Sequence, residues 1–328
     1  MPSSAAPIPL DRPEGTTGHP SVGRAVLFAA TLGLFLVWSN TFLAFEVLLA
    51  PATGTAPLTW LDLSVARFVP ATILCAVWCF GFRRRESMEI LRRHPVRLAV
   101  AGLLVGPGYG GFMYWGIAQR VSGPVASLLT TCTPLYLTLL GPLLFRERIG
   151  RRQAAGLLLG FTGIVVVATA RTSEGVRPWD VGVMALAHLC WSIYTVLTKP
   201  VTRSSSPLVW TYLVIVAGGL FLAPLLPFHG GRAMAALDAR GWALLLYLSV
   251  VATILGNAVW TWLLRHLPAS AVGLTIFLNP PLTTASKWGL AAFFPLTFAF
   301  TIRPQEWLGG VLAMAGVAIA LLSRNGDR

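Results

Sequence analysis

The chain has 328 residues, 55% of them hydrophobic and only 11% charged, whereas a soluble domain carries roughly 25% charged residues. A soluble globular fold is thereby excluded. The formal net charge of +13 raises nucleic acid as a partner, but the placement of the basic residues assigns that charge to membrane topology instead.

Residues 1–24 are polar and rich in Pro, Ser and Gly, with neither a basic start nor a short apolar core before a cleavage site. They are expected to form a disordered cytoplasmic tail rather than a signal peptide. Apolar runs then follow, each near the ~20 residues that a helix needs to cross the hydrocarbon. Five run near Val26 to Leu49, Leu58 to Phe80, Leu98 to Ile117, Val125 to Phe145 and Ala154 to Ala170. Five more run near Val181 to Leu197, Leu208 to Leu226, Trp242 to Leu264, Ala271 to Phe294 and Trp307 to Leu322. The expected fold class is therefore an all-α polytopic membrane protein with ten transmembrane helices, ending in a short tail at 324–328.

With the N-terminus inside, 17 of the 25 basic residues fall on the cytoplasmic side, including Arg12, Arg83 to Arg85, Arg92, Arg93, Arg146, Arg148 and Arg328. Six, including Arg120, Arg171 and Arg177, fall on the other side, and Arg67 and Lys287 lie within spans. This bias places both termini in the cytoplasm of a multi-pass plasma (inner) membrane protein. Cys75, Cys79, Cys132 and Cys190 lie in apolar runs without metal or redox spacing, so they read as buried thiols, and neither metal nor cofactor is expected.

The chain also resembles itself. Trp38-Ser39 recurs as Trp191-Ser192, and Gly156 and Gly163 recur as Gly309 and Gly316, each at an offset of 153. The small-residue entry from Ser122 to Pro134 is matched loosely by Pro268 to Pro280 at an offset of 146. Two five-helix repeats are expected at 25–172 and 178–323. An odd number of spans per repeat turns the second copy upside down, and inverted repeats are the recurring build of secondary transporters, with the substrate site between the halves.

Several residues stand out against that frame. Gly106-Pro-Gly-Tyr-Gly-Gly111 matches a dinucleotide-binding pattern, but it lies within a span and lacks the preceding strand. Gly102, Gly106 and Gly110, like Gly156 and Gly160, read instead as positions where helices approach closely. Charges within spans are costly and call for partners or roles. Glu46, Asp62, Arg67 and Lys287 all fall in the outer half and are candidates for one vestibule. Glu46 is expected to pair with Arg67 or to act as the proton-coupling group. Lys287 either snorkels to the headgroups or holds an anionic group of the substrate.

His188, Trp191 and Tyr194 share one broad side of the sixth span, fanned over about 120°. Trp38 takes the place of Trp191 in the first repeat, and Phe35 the place of His188. Thr133 precedes Pro134, and Thr275 and Asn279 precede Pro280-Pro281, where backbone carbonyls freed by proline are tolerated beside a cavity. The candidate substrate-binding set is Trp38, Asn40, Arg67, His188, Trp191, Tyr194, Asn257, Asn279 and Lys287.

The order Trp38-Ser39-Asn40, Ala66-Arg67-Phe68, Pro134, Arg146-Glu147-Arg148 and the Gly156/Gly163 helix resembles the EamA-type branch of the drug/metabolite transporter superfamily. Leu267-Pro268-Ala269-Ser270, Pro280 and the Gly309/Gly316 helix resemble its second copy. The resemblance implies a ten-helix exporter-type fold whose cavity is lined by the first four helices of each repeat, with the fifth helices peripheral. The run from Ser286 to Phe300 departs from the family pattern in lacking a Gly-Glu pair. The expected function is export of small metabolites, such as amino acids or related carboxylates and amphipathic compounds. The expected partners are that small-molecule substrate and the lipid bilayer, with a homodimer open and no nucleic acid. The rival readings are an intramembrane enzyme, for which the spans hold no metal cluster or nucleophile dyad, and a membrane sensor or assembly protein without transport activity.

Overall fold

The computed structural model describes residues 23–49, 58–145, 150–170, 176–267, 275–294, 298, 301 and 303–326. Most of the 1–24 tail, Arg146 to Arg148, Arg171, Arg328 and the Pro268 entry to the ninth span lie outside these residues. All regular structure among the described residues is helical. The first half comprises α1 (Arg24–Leu49), α2 (Trp60–Val77), a short surface helix α3 (Arg84–Arg93), α4 (Pro95–Leu103), α5 (Gly111–Ala118), α6 (Gly123–Leu128), α7 (Cys132–Phe145) and α8 (Arg151–Thr169). The second comprises α9 (Pro178–Ser204), α10 (Pro207–Leu222), α11 (Gly231–Ala235), α12 (Ala239–Leu246), α13 (Gly256–His266), α14 (Asn279–Phe293) and α15 (Pro304–Gly326).

Eight helical segments are long and apolar enough to cross a membrane, from Arg24–Leu49 to Ala239–His266. They coincide with the first eight spans read from the sequence. The ninth, α14, has only 15 described residues. The tenth, α15, spans 23 residues and is not among the eight.

Local chemistry sets the helix starts. Thr59 and Asp62 form a reciprocal capping box at the head of α2, satisfying two backbone donors that would otherwise face hydrocarbon. Pro95, Pro178 and Pro207 occupy first-turn positions, where a missing N–H costs nothing. A π turn, Trp78–Phe82, closes the second span, and two more interrupt spans midway: the first of these, Leu104–Gly110, joins α4 to α5, and the second, Tyr247–Leu255, joins α12 to α13. Such turns shift the hydrogen-bond register and often mark functional positions.

Close helix approach follows the small residues, as the sequence suggested. A methyl on Gly106 would lie 2.8 Å from the carbonyl oxygen of Gly218 in α10. A methyl on Gly309 would lie 2.6 Å from the carbonyl oxygen of Gly163. The helices α8 and α15 therefore touch backbone to backbone, away from the centre, the peripheral position expected for the fifth helices. Cross-half contacts also join α1 to α14 and α2 to α10, leaving a gap at the centre of the bundle.

Candidate functional site

That gap is a cavity of about 70 Å³, room for about five waters at 10–15 Å³ each. Seven spans contribute to its wall: α1, α2, the π turn before α5, the 3₁₀ turn and α7 of the fourth span, α9, the eighth span and the start of the ninth. The seventh span, α10, does not line it, because α10 packs behind α2 and α4. A second cavity of about 120 Å³ lies between α6, α14 and α15. Although larger, its wall is nearly all apolar, and its one acid, Glu306, accepts the Arg303 amide at the head of α15 at 2.9 Å. The smaller central cavity carries the chemistry.

Arg67 is its charge. The side chain is 9% exposed and is held from two directions: Nε donates to Thr253 Oγ1 at 2.8 Å and one terminal nitrogen donates to the Tyr114 hydroxyl at 2.5 Å. The guanidinium carbon lies 5.3 Å from the Phe45 ring centroid, a cation–π placement. Thr253 belongs to the second π turn, and its hydroxyl in turn donates to the Leu248 carbonyl five residues back at 2.7 Å. The wide turn thus positions the hydroxyl that orients the arginine. Among the described residues no carboxylate pairs with Arg67, which lines the cavity.

This corrects the expectation that Glu46 neutralises Arg67. Glu46 instead pairs with Lys287, whose Nζ lies 2.6 and 2.9 Å from the two carboxylate oxygens, and it also accepts the amide of Gly123. Lys287 is 4% exposed, so it does not snorkel, and its charge is engaged within the protein instead of held ready for a substrate anion. Asp62 is likewise elsewhere: Oδ1 accepts the Gly230 amide at 2.9 Å and lies 3.4 Å from His229. The four intramembrane charges do not share one vestibule; only Glu46 and Lys287 meet.

Of the aromatic residues singled out in the sequence, Trp38 and Trp191 line the cavity. Trp38 and Trp191 meet edge to face with centroids 5.9 Å apart, the two repeat-related tryptophans facing each other across the cavity. Trp38 Nε1 donates to the Ala252 carbonyl at 3.1 Å, and the Tyr247 hydroxyl donates to the Val37 carbonyl at 2.5 Å. These two bonds dock α1 onto the second π turn. His188, Asn257 and Asn279 also line the cavity. Asn257 Nδ2 donates to the Thr253 carbonyl at 2.7 Å.

Besides Lys287, two further candidates fall outside the wall. Tyr194 packs behind Trp191 at 5.2 Å, and Asn40 turns back to the Leu36 carbonyl at 2.8 Å. Residues the sequence reading passed over include Thr41, Thr130 and Tyr109. Tyr109 lies in the glycine-rich run, where the first π turn swings it against Trp191 at 5.3 Å. A lone aromatic among four glycines is the signal that could have found it.

The profile described as EamA-like transporter family matches the chain twice, at residues 23–169 and 179–322. A protein of Streptantibioticus cattleyicolor named "Probable terminal-alkyne amino-acid exporter" is 27% identical over 292 residues, covering 87% of this chain and 89% of its own. An "Uncharacterized transporter" of Archaeoglobus fulgidus is 24% identical, covering 92% and 98%. A "Probable amino-acid metabolite efflux pump" of Salmonella typhimurium is 27% identical, covering 66% and 74%. A solved crystal structure shares the fold with a TM-score of 0.56 at 20% identity, covering 93% of this chain and all of that one.

Proposed function

Because the chain belongs to the EamA-like transporter family, we propose that it is a secondary transporter that exports small carboxylates, amino acids or amphipathic relatives of them, across the plasma membrane. The carrying observation is the cavity between the two matched segments. It presents one buried guanidinium without a carboxylate partner beside the tryptophan pair Trp38 and Trp191. A buried arginine fork matches a carboxylate, and the indoles match an apolar or aromatic remainder. The names of two relatives as amino-acid exporters point the same way.

In this reading the membrane is crossed ten times, by the eight apolar segments together with α14 and α15, as two inverted five-helix repeats with both termini cytoplasmic. A cavity of about 70 Å³ is small beside the ~300–1,000 Å³ of ligand pockets, so loading requires the halves to part. Glu46, tied to Lys287 across α1 and α14, is the group through which protonation would favour that parting.

The test is counterflow in proteoliposomes containing the purified full chain, preloaded with a panel of amino acids, hydroxy acids and amines. Accelerated exchange of carboxylates that is lost in Arg67→Gln is the expected result. Exchange of amines alone, or carboxylate exchange indifferent to Arg67→Gln, would overturn the assignment.

A further inference from the structure

Five polar side-chain atoms are buried without a hydrogen-bond partner among the described residues, and two of them, His188 Nε2 and Asn279 Oδ1, belong to residues lining the central cavity. Both residues are almost wholly buried, at 2% and 4% exposure, and leaving such atoms unsatisfied costs free energy.

Local geometry leaves both atoms without a protein partner. The His188 ring is held by its Nδ1, 3.2 Å from Thr133 Oγ1, and by a T-shaped contact with the Tyr109 ring, with centroids 5.7 Å apart at 81°. Nε2 is the opposite corner of that ring. Asn279 is the first residue of α14, one past its N-cap Leu278. Here the next two residues are Pro280 and Pro281, which have no N–H.

We propose that His188 and Asn279 form a second polar subsite in the cavity, one that takes a hydroxyl or carboxamide group of the carboxylate held by Arg67. This rests on the transporter reading above and deepens it. The Thr133 contact leaves Nε2 a donor in one tautomer and an acceptor in the other. Asn279 Oδ1 only accepts. With Nε2 protonated, a hydroxyl or a carboxamide accepts from Nε2 and donates to Oδ1. With Nε2 unprotonated, the two N–H groups of a carboxamide can serve both atoms and a hydroxyl serves one, whereas a purely apolar substituent leaves both unsatisfied. Arg67 lies in the first matched segment, and His188 and Asn279 in the second. A substrate bridging them therefore touches both halves. The repeat does not require this histidine, since Phe35 occupies the matching position in the first half.

The experiment measures tryptophan-fluorescence binding on the purified full chain, with Trp38 and Trp191 in the cavity wall as reporters. The probes are matched pairs: threonine with valine, tyrosine with phenylalanine, and glutamine with methionine. In at least one pair the polar member is expected to bind about 10-fold tighter or more, as sites built to hydrogen-bond a substrate group discriminate strongly. In His188→Phe and Asn279→Leu that ratio is expected to fall to within about 3-fold, and in His188→Gln to recover in part. Arg67→Gln is expected to weaken both members of a pair alike. A ratio near one for every pair in the unaltered protein, or a ratio unchanged in His188→Phe, overturns the subsite. Counterflow of the same compounds separates the two readings: carboxylates exchanged without discrimination remove the subsite alone, whereas no carboxylate exchange removes both.

Discussion

Replacing Lys287 with Met leaves Glu46, partly buried against α14, with the Gly123 amide to answer its charge. At 2.6 Å and an effective dielectric of 20, the Coulomb attraction in the pair is about 6 kcal/mol. Removing two ions from water costs several kcal/mol each, so the intact pair is worth little net, while breaking it from one side typically costs ~3–5 kcal/mol. At roughly 2 °C per kcal/mol for a large chain, Lys287→Met is expected to lower the melting temperature of detergent-purified protein by about 6–10 °C. Glu46→Gln, which takes the carboxylate away from the ammonium, should do much the same. The double variant Glu46→Gln with Lys287→Met removes both charges and should recover most of the loss, giving a coupling of about 2 kcal/mol or more. Single losses that simply add in the double variant would refute the pairing across α1 and α14. A drop of under about 2 °C in both single variants would refute its burial.

The other expectations concern the site, the packing and the topology. Arg67→Lys keeps a charge but cannot serve Thr253, Tyr114 and a carboxylate at once. At ~1.5–3 kcal/mol for a charge-assisted bond, apparent affinity for carboxylates should fall about 10- to 100-fold in competition counterflow, with melting temperature changed far less. Gly316→Ala places a methyl 2.5 Å from the Gly156 carbonyl oxygen and should lower stability by about 1–3 kcal/mol. Gly289→Ala, with nothing within 4 Å, should be neutral in the same thermal assay, and equal losses would contradict the α8–α15 contact. Single cysteines at Arg92 and Arg177 should react with an impermeant reagent from opposite faces of oriented vesicles, and labelling of both from one face would remove the proposed topology.

Some of the site was legible because repetition exposes it. Trp38 and Trp191 were found by comparing the chain with itself, and Arg67 by the cost of a charge among apolar neighbours; both signals depend only on residue type and position. The ion pairs were less legible, because spacing along a helix says nothing about which neighbouring helix comes near. Glu46 and Lys287 are 241 residues apart, and both were recognised as costly, yet the depth estimate alone gave Glu46 to Arg67. The π turns were hidden for another reason. Their apolar residues read as ordinary helix, and the register shift that brings Tyr109 and Thr253 to the cavity leaves no mark in composition. At the ninth span the 3₁₀ turn Ile276–Leu278, directly ahead of Asn279 and Pro280, likewise left no mark in the apolar run.

The backbone contact between α8 and α15 joins the last helix of one matched segment to the last helix of the other. Recognition between the halves therefore does not depend on the peptide that connects them. Two genes, one ending after Ala170 and one beginning before Val176, should yield fragments that find each other in the bilayer and co-purify on a tag carried by either. With Gly163→Leu in the first fragment and Gly309→Leu in the second, the pair should separate.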